Sequence, residues 1–168
     1  MKKHIFLSAI IAFMFFSTFS QQNIFPPVEV LKPDGTIMKA SDIETGNRPV
    51  IVIFWNPDDN KCCNHIQDIQ DTYRETFSDY DLKIIGICSN INGTFEHIRP
   101  SVRGSEWVMD IYLDKTGDFR RSMGVPGVPF TFLFNPEKQV VCRYNGYCTG
   151  SEDILCEKLR ECMQPLTD

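Results

Sequence analysis

The sequence predicts an α/β fold: a central mixed β-sheet flanked by helices, with an N-terminal β-hairpin extension. Three observations carry that expectation. The block VIVIFW at residues 50–55 is short, β-branched and aromatic, and apolar on both faces, as a strand covered on both sides is. Behind it Cys62, Ile66, Ile69 and Tyr73 recur at spacings of four, three and four, the stripe of an amphipathic helix, while Asn64, Gln67, Asp68, Gln70 and Asp71 fall elsewhere. Further on, DLKIIGIC at 81–88 and the block 131–134 are buried-strand stretches of the same kind. Asn135-Pro136-Glu137-Lys138 then turns the chain, so that 139–144 returns antiparallel.

The chain opens with Lys2 and Lys3 before an apolar run over 5–16, and Thr18 and Ser20 occupy the −3 and −1 positions of a cut before Gln21. That is the pattern of a secretory signal peptide. The run is shorter than the roughly 20 residues a membrane-spanning helix needs. Residues 1–20 are therefore expected to be a signal peptide and 21–168 one domain, exported and without stable membrane insertion after cleavage. Cleavage removes two lysines and no acid, which leaves 15 basic against 22 acidic side chains, a net −7. Neither nucleic acid nor an anionic membrane is an expected partner of such a surface.

Residues 28–31 and 36–38 are β-like and flank Lys32-Pro33-Asp34-Gly35, whose Pro and Asp-Gly favour a turn; they read as a hairpin. Ser41-Asp42-Ile43 and Asn47-Arg48-Pro49 lead into the central strand. After the second buried strand, 94–102 has a helical pattern broken by Pro100, 107–113 reads as a short strand, and 118–123 as a short helix stopped by Gly124. Residues 151–163 form a closing helix, capped by Ser151 with Glu152 and Asp153 in its first turn.

Phe54-Trp55, a polar turn and a cysteine-bearing helix together resemble the thioredoxin superfamily, in particular its extracytoplasmic thiol–disulfide oxidoreductases of the cytochrome-maturation type. Their signature is a strand, Phe-Trp-x-x-x, then Cys-x-x-Cys opening a helix. Laid on without gaps from Phe54-Trp55, the second cysteine falls on Cys62 and the first on Asp59. The hairpin, Ser41-Asp42-Ile43 and Pro49 resemble the N-terminal extension of the same proteins. Val125-Pro126-Gly127-Val128-Pro129 resembles the thioredoxin-fold segment Gly-Val-x-Gly-Val-Pro-Thr-x-Phe, which implies a cis peptide at Val128–Pro129. Proline there offers no N–H to compete at a neighbouring sulfur, and the Val128 backbone is left to pair with an extended substrate. Phe130 stands where the family has threonine, which implies a greasier groove. The resemblance thus implies a thioredoxin fold, periplasmic or extracytoplasmic location, no cofactor, and an extended polypeptide or protein thiol/disulfide as partner. Trp55, Asp59, Val128, Pro129 and Phe130 become the candidate substrate-binding residues.

The cysteines decide between an active and an inactive site. There are seven, Cys62, Cys63, Cys88, Cys142, Cys148, Cys156 and Cys162, and in an exported chain an odd count leaves at least one thiol unpaired or shared. Cys156 and Cys162 lie about 240° apart around a helix and should not bond. Cys88 ends a strand and reads as a buried thiol. Cys142 and Cys148 flank Asn145-Gly146, where a turn is one way to bring the two together. Cys62 and Cys63 are the candidate catalytic thiols, at a helix start whose dipole favours a thiolate by about 0.3–1 kcal/mol. A carboxylate about 5 Å away opposes it by roughly 3 kcal/mol at an effective dielectric of 20. Asp58 and Asp59 therefore predict a poor nucleophile at Cys62, with Asp59 read as the helix N-cap.

Cys63, on a more exposed face, is the alternative attacking thiol, with Cys62 or Cys88 resolving. A vicinal Cys62–Cys63 disulfide is strained. Cys62, Cys63 and His65 also suggest soft-metal ligands. Copper chaperones on this fold resemble Cys-x-x-x-Cys with a distant histidine, a spacing absent here, so no metal is expected. His65, like His97, reads as a solvated helix residue. A resemblance to thioredoxin-fold peroxidases would want a cysteine near Pro57, where none stands. Disulfide exchange through Cys62 or Cys63 beside Pro129 and a redox-inactive binding module using the same groove are the two leading readings, with a soft-metal (Cu) binding protein ranked third.

Overall fold

A computed structural model describes residues 24–78, 80–89, 93–94, 96, 98, 107–147 and 150–163. The signal-peptide expectation, most of the 94–102 helix, His97 and Cys148 lie outside the described residues. In chain order the elements are β1 Glu29–Leu31, β2 Ile37–Lys39, β3 Val50–Trp55, α1 Asn60–Thr72, β4 Lys83–Cys88, β5 Asp110–Leu113, α2 Asp118–Ser122, β6 Phe130–Phe134, β7 Val140–Asn145 and α3 Ser151–Met163. A 3-10 turn, Ala40–Asp42, follows β2, and α1 runs on into a wider π-type turn, Tyr73–Phe77.

The strands form one mixed sheet in the order β2-β1-β5-β4-β3-β6-β7. β3 pairs in parallel with β4 and antiparallel with β6; β4 pairs in parallel with β5, and β6 antiparallel with β7. Parallel neighbours need a crossover, and α1 supplies it between β3 and β4. The hairpin of β1 and β2 joins the sheet where Leu31 meets Leu113. Alternation along β3 explains its apolar run. Ile51, Ile53 and Trp55 pack with Cys62, Ile66 and Ile69 of α1 and with Leu155 and Leu159 of α3. Val50, Val52 and Phe54 face the other way, onto Phe25, Phe119 of α2, and Phe130, Phe132 and Phe134 of β6. Phe54 and Phe25 both meet Phe119 edge to face, at 5.4 and 5.3 Å, the arrangement the ring quadrupoles favour.

Two expectations are corrected at the start of β5. The predicted strand over 107–113 begins only at Asp110, because a side chain replaces the sheet ladder before it. The backbone N–H of Val108 donates to Gln70 Oε1 at 2.7 Å, and Trp107 Nε1 donates to Gln67 Oε1 at 3.2 Å. Gln70, placed by the sequence on the outer face of the helix, is consequently buried. Gly124, at a φ of +67°, ends the α2 turn in a conformation that suits glycine.

Candidate functional site

β3 ends at Trp55, and four residues, Asn56-Pro57-Asp58-Asp59, turn the chain into α1. Asn56 Oδ1 accepts from the Asp58 N–H at 3.1 Å, and the Asn56 carbonyl accepts from the Asp59 N–H at 3.2 Å. Asp59 has extended backbone, and its Oδ1 accepts from the Lys61 N–H at 2.8 Å. It is the N-cap, satisfying one of the unpaired donors of the first turn. The Cys63 N–H then makes the first helical bond, to the Asp59 carbonyl at 3.1 Å.

This turn sets the two thiols differently. Cys62 is wholly enclosed. Burial above all, with the Asp59 carboxylate and Cys63 adding to it, pushes its thiol up to about 11 against a bond from the Asn56 backbone that pulls the other way. Cys63 is half-buried, and its Sγ donates weakly to the Pro57 carbonyl at 3.6 Å. Burial again raises its pKa, followed by Asp59 and Asp58. The direction agrees with the sequence reading, and desolvation, which that reading did not weigh, is the largest cause, ahead of carboxylate repulsion.

β6 approaches the same end of the sheet. Phe130 pairs with Phe54, which carries Pro129 to the end of β3 where α1 departs, and the Pro129 carbonyl accepts from the Gly146 N–H at 2.8 Å. The Val128–Pro129 peptide is cis, and half-buried Val128 packs against the apolar clusters on both faces of the sheet.

Three candidate groove residues do not line an open groove. Trp55 is 0 % exposed, edge to face with Trp107 at 5.5 Å and over Gly86, where an added Cβ would stand 3.3 Å from Nε1. Pro129 is buried. Phe130 is 6 % exposed and stacks toward Phe132 at 4.9 Å, on the face away from α1. Period-two alternation decides this: Thr131, not Phe130, turns toward α1. Among the described residues of the two loops, Asp58, Asp59, Lys61, Cys63 and Val128 do keep exposed surface.

His65 corrects the expectation of a solvated residue. It is 3 % exposed, its Nε2 lies 2.7 Å from Thr131 Oγ1, and its ring meets Tyr147 edge to face at 5.9 Å. The Tyr147 hydroxyl donates to Asp68 Oδ2 at 2.7 Å. Burial lowers the His65 pKa, with Asp68 and Glu152 pulling it back. The signal was present in the sequence, since His65 precedes Ile66 and sits three residues after Cys62, on the inward stripe. With Nε2 bonded to Thr131, His65 does not join Cys62 and Cys63 as a ligand set. Among the described residues no group of three or more His, Cys, Asp or Glu is placed to hold a metal.

A mixed sheet whose central strand hands a cysteine to the start of a helix, beside a proline loop, defines a thioredoxin-like protein. Solved structures share this fold. One is an uncharacterized thioredoxin-like protein from Porphyromonas gingivalis, 24 % identical over 87 % of this chain and 95 % of that one, with a TM-score of 0.73. A second is a thiol:disulfide interchange protein of the thioredoxin family from Chlorobium tepidum, 14 % identical over 83 % and 95 %, with a TM-score of 0.64. A third is a secreted Mycobacterium tuberculosis disulfide oxidoreductase homologous to DsbE of E. coli, 12 % identical over 80 % and 96 %, also with a TM-score of 0.64. The chain belongs to the AhpC/TSA family, whose pattern matches residues 22–143. No match is found among curated proteins. Family and fold together support the thioredoxin-like thiol–disulfide oxidoreductase superfamily.

Proposed function

We propose that the chain is an exported thioredoxin-fold binding module of the thiol–disulfide oxidoreductase type, which engages an extended polypeptide at the end of the sheet where α1 begins. The Cys62 thiol rests protonated. The observation that carries this reading is Cys62, enclosed and with a pKa of about 11. At neutral pH such a thiol is ionised in roughly one molecule in ten thousand, and the thiolate is the nucleophile. Asp59 occupies the position of the first cysteine in the resembled signature and spends its carboxylate on capping α1. Binding in this reading falls to the surface of Asp59, Cys63 and Val128 beside the Pro129 loop. Export rests on reading residues 1–20 as a signal peptide, and the fold-level likeness to a secreted oxidoreductase is in keeping with it.

The half-exposure of Cys63 favours a second reading. In it the Cys63 thiolate attacks a partner disulfide, forms one mixed disulfide and releases the other sulfur as a thiolate. Displacement by Cys62 would require a strained vicinal disulfide, which leaves Cys88, buried in the cluster against which Cys63 packs, as the resolving thiol. Alkylation of the reduced protein across pH, assigning label to Cys62 or Cys63 by the fragment-ion masses of the peptide that carries both, distinguishes the two. The binding reading expects Cys63 to label with a midpoint at or above the free-thiol value of about 8.5 and Cys62 to label only on unfolding. Rapid labelling of either below about pH 7.5 overturns it in favour of exchange.

A further inference from the structure

We propose that Cys142 and Cys162 form an intramolecular disulfide that fastens the last turn of α3 to the edge strand β7. Both are thiols in the structure and both are half-buried. The sheet register aims Cys142: it stands opposite Leu133, which is fully buried on the face that α1 and α3 cover. Tyr144, two residues on, stands opposite Thr131 and shares that face. From the helix side, Leu155, Leu159 and Cys162 follow one another at four and three residues, the inward stripe of α3, and pack into the same cluster as Cys142. The two thiols also share an electrostatic neighbourhood, since Lys158 and Glu161 act on both and Cys142 acts on Cys162. Cys156 instead answers to Arg160, Asp153 and Glu152. Cys162 is one residue from the end of α3, and a terminal helical turn adjusts more readily than an interior one.

The reaction is a two-electron oxidation. Each thiol gives up its proton, one S–S bond forms, and the two electrons reduce a partner disulfide, protein-borne or of the glutathione type, to two thiols. Occurrence in the cell rests on the export reading, because that oxidant persists outside the cytoplasm. Formation of the bond itself does not rest on it.

The test is oxidation of the purified chain with glutathione disulfide, blocking of residual thiols, and tryptic digestion without reduction. Cleavage after Lys138, Arg143, Lys158 and Arg160 places Cys142 alone in 139–143, Cys148 and Cys156 together in 144–158, and Cys162 alone in 161–168. The expected product is 139–143 joined to 161–168, two hydrogens lighter than the separate peptides and split by reductant. The oxidised protein should melt about 5–10 °C above the reduced one, a difference that Cys162→Ser abolishes. Cys142 joined to 144–158, or Cys142 and Cys162 both recovered blocked, overturns the proposal.

Discussion

His65 is a buried imidazole held by a hydroxyl and an aromatic ring, and its pKa is lowered by that burial. The unfolded chain binds a proton there below about pH 6.5, while the folded chain resists until the pH is lower still. Stability is therefore full above that value and falls as the pH drops below it. Asp68 and Glu152 oppose the effect without reversing it. Urea unfolding at pH 7.5 and 5.5 should show the loss in the wild type and a flatter response in His65→Gln, with Asp68, Tyr147 and Glu152 unchanged. Asp59 allows a second test, because its two effects separate chemically. Asp59→Asn keeps the capping oxygen and removes the charge that raises both thiols. Its stability should stay within about 0.5 kcal/mol of wild type while the alkylation midpoint of Cys63 falls; Asp59→Ala should lose about 1 kcal/mol as well.

At the scale of elements, Gly86 on β4 shows how tightly the end of the sheet is filled. An added Cβ there would stand 3.0 Å from Met109 Cε and 3.3 Å from Trp55 Nε1. The methionine end can swing away, but the indole is locked between β4 and Trp107. Gly86→Ala should cost about 1–3 kcal/mol by chemical denaturation, with part recovered when Met109→Ala is added. Local features of this kind were legible in the sequence to the extent that their chemistry is local. The Asp59 cap, the closing helix and the two-sided strand β3 follow from nearest neighbours and period. Where the sequence reading failed, the deciding information was long-range. Gln70 looks polar and outward until the 107–109 segment covers it, and Phe130 looks like a groove residue until the register of β6 against β3 assigns its face. His65 and Thr131 lie 66 residues apart, so neither announces the other.

For the molecule as a whole, β3 is the shared wall of both apolar clusters, and neither side can open without exposing it. Unfolding should therefore be one cooperative step. Far-ultraviolet circular dichroism and tryptophan fluorescence should give superimposable urea curves with one midpoint, and separated curves would show that the two sides melt independently.

The pair formed by Trp55 and Trp107 has a use apart from packing. They are the only two tryptophans in the chain, with centroids 5.5 Å apart and planes at 81°. Indoles this close couple their excited states, and the dichroism of such a pair depends on how the two rings are oriented to each other. No other indole dilutes that signal, and one of its two members ends the strand that leads to Cys63. The pair thus reports optically on the end of β3, since a shift of the turn or of the 107–109 segment changes its dichroism without any attached label.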